Sequence, residues 1–507
     1  MKSRIASTNA PALFGDLADA HTRPVTLPPL TTTTGPVQRF SGSWKSGAPL
    51  GGSVDSIAER HLGSLNTPPT PADTIRRTRS VPGFMTDVDV VKRLFDHYFR
   101  DDLYGHYASK SPIILSSGSF DESLFGMPEA LKSCMRYSLS RNWYGYSDSL
   151  GIDVTREALA RLETARRPLS REVSAREIAV TMGATSTVSI LAEFLARSDD
   201  PYHSRAARAL CATPNYPPLV ASIGQRFEVH TAHLDLCDDG IDISTFIAQA
   251  KAMQPALVLI QSVINPWGRR VAEDELGELI DVVAGHGMVI IDDCHDIFPR
   301  GEREALTPRR RDPHVIEVHS LSKRWASPGI KSGWVVASEQ FLDDFYSYAS
   351  TSYGSPPSIS YLLLEMFATL ESRLYQTNPA WEPHWSTEYR LTPALLERAL
   401  DDYRAANSEM SSRVERSHRV SEEILSESGI SVLPAEYSIN FCALLGNEGT
   451  YATYRRIIDE ANVSVLPGLL TFLEKPGLVR ISPCLDEKEL VEGLKAMVNS
   501  ASRGLLK

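Results

Sequence analysis

A lysine that attacks a carbonyl must do so as the neutral amine, and Lys323 lies in a segment suited to that: His319-Ser320-Leu321-Ser322-Lys323-Arg324-Trp325-Ala326-Ser327-Pro328-Gly329-Ile330-Lys331-Ser332-Gly333. In a pocket partly withdrawn from water and close to other cationic groups, a lysine loses part of its preference for the charged state and can form a Schiff base. Read alone, the same segment is also a Ser-rich loop with a solvated lysine. Its company decides between the two. Gly183-Ala184-Thr185-Ser186 follows an apolar run and opens a helix-like segment, so small residues would let backbone N–H groups and a hydroxyl approach a phosphate at the positive helix end, or simply cap the helix. Pro214-Asn215-Tyr216-Pro217 holds an aromatic ring in a rigid loop, either as a plate for a planar ligand or as a packed loop tyrosine. Asn265-Pro266-Trp267-Gly268 makes a turn that can aim the Asn265 amide at a ring hydroxyl or a carboxylate. Val289-Ile290-Ile291-Asp292 ends a buried strand on a carboxylate, which needs a partner such as a protonated ring nitrogen. The following Asp293, Cys294, His295 and Asp296 do not make a metal site, because neighbours on a strand point to opposite faces.

The elements that must position these groups alternate in type. Short β-branched apolar runs (178–182, 209–212, 256–260, 288–291, 315–318 and 333–337) are separated by helix-period segments at 187–197 and 273–284, which predicts a mostly parallel sheet covered on both faces. An amphipathic stretch from Val88 to Tyr98 opens the folded part. Beyond about residue 360 the pattern turns to long helices, notably Met410–Ser426, and shorter strands near 438–445, 463–466 and 478–481, as for a second, α+β domain. The predicted division is an extended segment 1–85, an N-terminal arm with part of the small domain 86–150, a large domain 151–365 and a C-terminal small domain 366–507. Residues 1–85 are rich in Ser, Thr, Pro and Gly and carry little apolar periodicity.

Composition narrows the class. A chain of 507 residues with 42% hydrophobic content is a globular protein of more than one core. Its net charge of −11 argues against nucleic acid or an anionic membrane as the main partner. The six cysteines are scattered without zinc-ligand spacing, which predicts reduced thiols and a cytoplasmic protein, and no apolar run reaches membrane-spanning length.

Taken in order, Gly-Ala-Thr at 183–185, Tyr-Pro at 216–217, Asn265-Pro266-Trp267-Gly268, Asp292 with His295, Ser320-Leu321-Ser322-Lys323, and Arg480 in Gly477-Leu478-Val479-Arg480-Ile481-Ser482 resemble the class I/II aminotransferase family of pyridoxal-phosphate enzymes, over about residues 110–495. The lysine segment with Pro328-Gly329 is also similar to that of aminocyclopropane-carboxylate synthases, and Asp121–Gly126 to a loop of histidinol-phosphate aminotransferases. The resemblance implies an α/β fold of type I, with a mostly parallel sheet sandwiched by helices plus a smaller α+β domain. It implies that Lys323 carries pyridoxal 5'-phosphate as a Schiff base and shuttles the α-proton, and that Asp292 pairs with the ring nitrogen while Tyr216 stacks on the ring. Asn265 and His295 would meet its phenolic oxygen, and Gly183, Ala184, Thr185, Ser320 and Lys331 would hold its phosphate. Arg480, with Asn265, would bind the carboxylate of an amino-acid substrate, and Tyr146 would reach the phosphate of a neighbouring subunit in a homodimer with shared sites. Trp267, Arg269, Arg324 and Trp325 flank these motifs as further substrate contacts.

The chain departs from the pattern at His295, where the family usually has tyrosine, and at Lys331, where it usually has arginine. Transamination is therefore the leading reaction, with elimination, replacement or cyclisation, on S-adenosylmethionine for instance, as the alternative. A cofactor-sensing regulator would need a basic winged-helix module, which residues 1–85 do not resemble.

Overall fold

A computed structural model describes residues 87–167, 172–197, 207–237, 240–293, 309–376, 380–446, 449–473 and 475–505. The extended segment expected at 1–85 lies outside these. The larger sheet contains β1 (Ile178–Thr181), β2 (Arg208–Thr213), β3 (Glu228–His233), β4 (Leu257–Gln261), β5 (Met288–Asp292), β6 (Val315–Ser320) and β7 (Gly333–Val336). Their order across the sheet is β1-β7-β6-β5-β4-β2-β3. Strand pairs are parallel except those made by β7, which runs antiparallel to both β6 and β1.

Both faces are covered, which is why β4 reads Leu-Val-Leu-Ile-Gln without alternation. Ala179, Leu257, Leu259, Ile290, Ile316 and Val318 pack on one face against Val188, Leu191, Leu195 and Phe345 of the helices Ala184–Ala196 and Glu339–Ser352. The alternate residues Val258, Ile260, Val289 and Ile291 pack on the other against Phe246, Leu276 and Ile280 of the helices Ser244–Met253 and Glu273–Val283. β3 has no apolar run to announce it. Its sequence Glu-Val-His-Thr-Ala-His suits an edge strand whose outer groups meet water.

A second, antiparallel sheet of four short strands, Ser431–Leu433, Phe441–Leu444, Leu478–Ile481 and Leu466–Pro467 in that spatial order, backs onto the helices Thr450–Ala461 and Glu487–Leu505. The long helix expected at 410–426 runs over Pro393–Glu427, started by Thr392, whose hydroxyl accepts from the Leu395 N–H, and by Pro393 in the first turn. The amphipathic N-terminal stretch is the helix Asp87–Asp96 continued by a π-helical segment His97–His106. It straddles two clusters. Val88 and Val91 enter the core of the large sheet, whereas Leu94, Tyr98, Leu103 and Tyr107 pack with Tyr451, Tyr454, Ile458 and Leu469.

Candidate active site

Because β1, β2, β4, β5 and β6 run in one direction, their C-terminal ends share one rim of the sheet, where open α/β sheets bind ligands. Gly183, Tyr216, Asn265, Asp292 and Ser320 all stand at or just beyond those ends, and the loop 321–332 carrying Lys323 and Lys331 leaves and re-enters at the same rim. The sequence motifs thus converge by strand direction.

Asp292 is buried at the last position of β5, and Gln261 at the last position of the adjacent β4 donates from Nε2 to its Oδ2 at 3.0 Å. Gln261 Oε1 accepts the backbone N–H of Asn265 at 3.2 Å. The Asn265 side chain then accepts from Arg480 Nη1 at 3.2 Å, while Arg480 Nη2 donates to the Ser116 carbonyl at 2.8 Å. Arg480 sits on the second sheet, is buried, and is held down to about 10 by desolvation. Its Nε and Asn265 Nδ2 are buried with no hydrogen-bond partner among the described residues.

Lys323 Nζ donates to the carbonyl of Gly118, two residues beyond the carbonyl that receives Arg480. Gly118 has φ +61, and a Cβ there would lie 2.6 Å from Arg480 Nη2, so only glycine lets this segment pass the guanidinium. The Gly118 N–H donates to Ser482 Oγ at 2.9 Å, which fixes the segment to the strand end beyond Arg480.

Gly183 caps the helix Ala184–Ala196, and Ser320 Oγ and the Lys331 backbone stand within 4 Å of where its Cβ would be. Ser320 Oγ also lies 2.7 Å from Ser322 Oγ. Gly333 closes this corner: a Cβ there would lie 2.4 Å from the His319 carbonyl and 3.1 Å from Gly183 Cα. Two hydroxyls and the first N–H groups of a 13-residue helix are therefore gathered in one cup beside the Lys331 backbone, whose side chain is exposed. Thr185 lies exposed in the first turn of that helix, and Ala184 is partly buried. Tyr216 is half-buried, its hydroxyl raised by burial, with Phe95 edge-on at 5.5 Å between centroids.

On the other side of the strand ends lies a buried ionic network. Asp293 accepts from Ser262 Oγ and from Arg166 at 2.9 Å, with Arg309 3.6 Å away. Burial alone would raise its carboxyl, but Arg309, Arg166 and Arg167 hold it well below the ordinary range. Glu317 takes Arg309 at 3.2 Å and Arg311 at 2.9 Å. His319, whose imidazole is pushed below its ordinary value by burial, stacks on Trp334, whose indole N–H donates to Glu163 at 3.0 Å. Asp293, Glu317 and His319 offer atoms within 4.8 Å of one another, yet both carboxylates are matched by guanidinium groups. Pleating explains the arrangement: Gln261 and Asp292 face one way, and Ser262 and Asp293 the other.

The residues flanking the motifs do structural work. Trp325 is buried and donates to Tyr403 Oη at 3.1 Å, Arg324 pairs with Glu371 at 3.0 Å and Asn407 at 2.6 Å, Arg269 pairs with Glu436, and Trp267 lies in the core. Tyr146 is 99% exposed. His295 lies outside the described residues. Sequence reading missed Gln261, Ser322 and Gly118. A glutamine ending an otherwise apolar strand beside the Asp292 strand was the available signal for the first.

The donor set fits pyridoxal phosphate: a buried carboxylate at the rim, a hydroxyl-rich cup at a helix N-terminus, a lysine on the loop that leaves the same rim, and buried donors on Asn265 and Arg480 without partners among the described residues. Residues 110–497 match the model of the family described as aminotransferase class I and II. The chain is 25% identical over 243 residues to the probable aminotransferase TAT2 of Arabidopsis thaliana, a match covering 45% of this chain and 54% of that one, so it spans about half that relative's length. With the probable aspartate/prephenate aminotransferase of Aquifex aeolicus it shares 23% identity over 400 residues, 73% of this chain and 87% of that one. The structure of an aromatic aminotransferase from Pyrococcus horikoshii superposes with a TM-score of 0.63 at 18% identity, covering 79% of this chain and 99% of that one, which shows the shared fold. From the ordered motifs, the rim that gathers them and this match, the chain belongs to the class I and II aminotransferases, pyridoxal-phosphate enzymes of fold type I.

Proposed function

We propose that the protein transfers the amino group of an α-amino acid to a keto acid. The observation that carries the reading is that Arg480 and Lys323 donate to two carbonyls of one short segment, those of Ser116 and Gly118, which brings a carboxylate clamp and an amine to the same stretch of backbone. Arg480 is a buried cation that donates to the neutral Asn265 amide and Ser116 carbonyl, and a substrate carboxylate would give it a charge partner.

Pyridoxal phosphate, when bound, supplies an aldehyde that accepts the amino group and a ring that draws electrons from the substrate Cα. Lys323 would hold it covalently and, once displaced by substrate, move the proton at Cα. Asp292 would keep the ring nitrogen protonated, with Gln261 orienting the carboxylate. Asn265 would donate to the ring hydroxyl through Nδ2. Tyr216 would cover one ring face and shield it from water. Gly183, Ala184, Thr185, Ser320 and Lys331 would hold the phosphate. The division into a large domain 151–365 and a small domain 366–507, with 86–150 as an arm, belongs to the same reading. So do a homodimer in which Tyr146 crosses to the neighbouring site, a cytoplasmic location and a biosynthetic role.

The reaction is tested by its stoichiometry. An amino donor alone should convert the bound cofactor once to its aminated form, with loss of the visible band, and a keto acid should restore it. Multiple turnovers without an acceptor, with release of a leaving group, would replace transfer by elimination or cyclisation.

A further inference from the structure

We propose that the segment Asp87–His106 is the wall against which the substrate side chain lies, and that it selects large, flat, apolar side chains over those bearing a second carboxylate. The proposal rests on the reading of Arg480 as the α-carboxylate clamp. The segment lies ahead of the family match, which begins at residue 110. Phe95 and Tyr98, three positions apart, share one face. Phe95 meets the Tyr216 ring edge-on, with centroids 5.5 Å apart at 81°. Tyr98 is fully buried, donates to the Val465 carbonyl at 2.9 Å, and stands beside Ser116 and Arg480, whose charge acts on its hydroxyl. One face of the segment therefore runs from the Tyr216 ring, which Phe95 touches, toward the Arg480 guanidinium, whose charge reaches Tyr98.

The wall continues outward as an aromatic ladder. Phe99 lies 4.8 Å from Phe95, and the exposed Tyr104 lies 6.2 Å from Phe99. Phe95 and Phe99 are only half-buried, so they keep ring surface that an incoming apolar group would cover. The same segment carries five aspartates against Lys92, Arg93 and Arg100, a net negative charge that disfavours a dicarboxylate. Asp96 is close enough to act on the Tyr216 hydroxyl and carries Lys92 at 2.5 Å as its own partner, while Asp102 is buried against Tyr451 at 2.8 Å. A second substrate carboxylate would meet Asp96, whereas a ring would meet Phe95 and Phe99. The segment is held rigidly enough to act as a wall, because Val88 and Val91 anchor it to one core and Leu94, Leu103 and Tyr107 to another.

The test is calorimetric binding of 3-phenylpropanoate and of succinate to the cofactor-loaded protein, in wild type, Phe95→Leu and Phe95→Ala, with the visible spectrum as a check that the site is intact. Wild type should prefer 3-phenylpropanoate, and Phe95→Ala should weaken that ligand by about tenfold, the size of one aromatic contact, with succinate unmoved. Phe95→Leu should lose part of the same preference. Tighter binding of succinate by wild type, or an equal loss of both ligands in Phe95→Ala, would overturn the proposal, and a leucine variant equal to wild type would overturn selection for a flat ring. Failure of wild type to bind either carboxylate would instead remove the Arg480 reading on which the wall depends.

Discussion

Arg480 Nη1 donates to Asn265 Oδ1 at 3.2 Å, a bond that joins the second sheet to the turn after β4 and pairs a buried cation with a neutral amide. Replacing the guanidinium should therefore disturb substrate more than fold. Arg480→Lys keeps a charge but not the planar fork, and should raise KM for amino acids by about 10- to 100-fold with a smaller change in kcat, as expected for loss of a charge-assisted hydrogen bond. Steady-state kinetics that left KM unchanged would place the carboxylate elsewhere.

Lys323→Ala should remove the cofactor adduct that borohydride fixes to the protein. Turnover should fall by about a thousandfold or more, since the proton transfer alone accounts for a factor of this order. Peptide mass mapping locates the adduct, and finding it on another lysine would reject the assignment.

Gln261→Leu deletes the amide that donates to Asp292 at 3.0 Å while preserving a strand-compatible apolar residue. The buried carboxylate then loses a donor, at a cost of about 1–3 kcal/mol. The expected result is weaker cofactor retention on dialysis and a shifted visible band, with the thermal transition of the cofactor-free protein changed less than its cofactor affinity.

Glu317 gives a pH prediction with a definite sign. Burial alone would raise its carboxyl, but Arg311 and Arg309 overcome that and hold it at about 2 against an ordinary 4.5. A depressed carboxyl stabilises the fold above its unfolded value, and the contribution is lost as pH falls toward the folded one. Stability should thus decline between about pH 5 and pH 2, by up to about 3 kcal/mol from this group. Glu317→Gln should be less stable at neutral pH and show a flatter decline across that window in denaturant titrations.

Tyr146→Phe should weaken phosphate binding only if the exposed side chain reaches another subunit. Mixing it with Lys323→Ala subunits should then regain activity, because a heterodimer carries one site with both wild-type groups. Full activity from a sedimenting monomer would exclude a shared site.

The parts legible in the sequence were those where one local rule suffices. Continuous apolar runs announced β4 and β5, and polar residues at their ends announced Asn265 and Asp292, because a buried sheet leaves little room for polar groups except at its rims. β3 was hidden since an edge strand needs no apolar run. Trp325 and Arg324 were misread as substrate contacts: their place next to Lys323 says nothing of direction, and both turn toward Tyr403 and Glu371. The ionic network was illegible because its members come from three separate stretches, Glu163 with Arg166, Asp293, and Arg309 with Glu317, which meet only once the sheet forms. Phe95 belongs to the same class, since its contact with Tyr216 joins stretches far apart in sequence.

The reversed direction of β7 has a consequence for how such a site can change over time. Ser320 ends β6 and pairs with Gly333, which begins β7, so the twelve intervening positions, 321–332, form a closed excursion from one rim that returns beside its own starting point. Insertions, deletions or exchanges within that excursion leave the register of every other strand untouched. The lysine loop can therefore be recut to suit a different substrate while the carboxylate on β5 and the helix at Gly183 stay where they are.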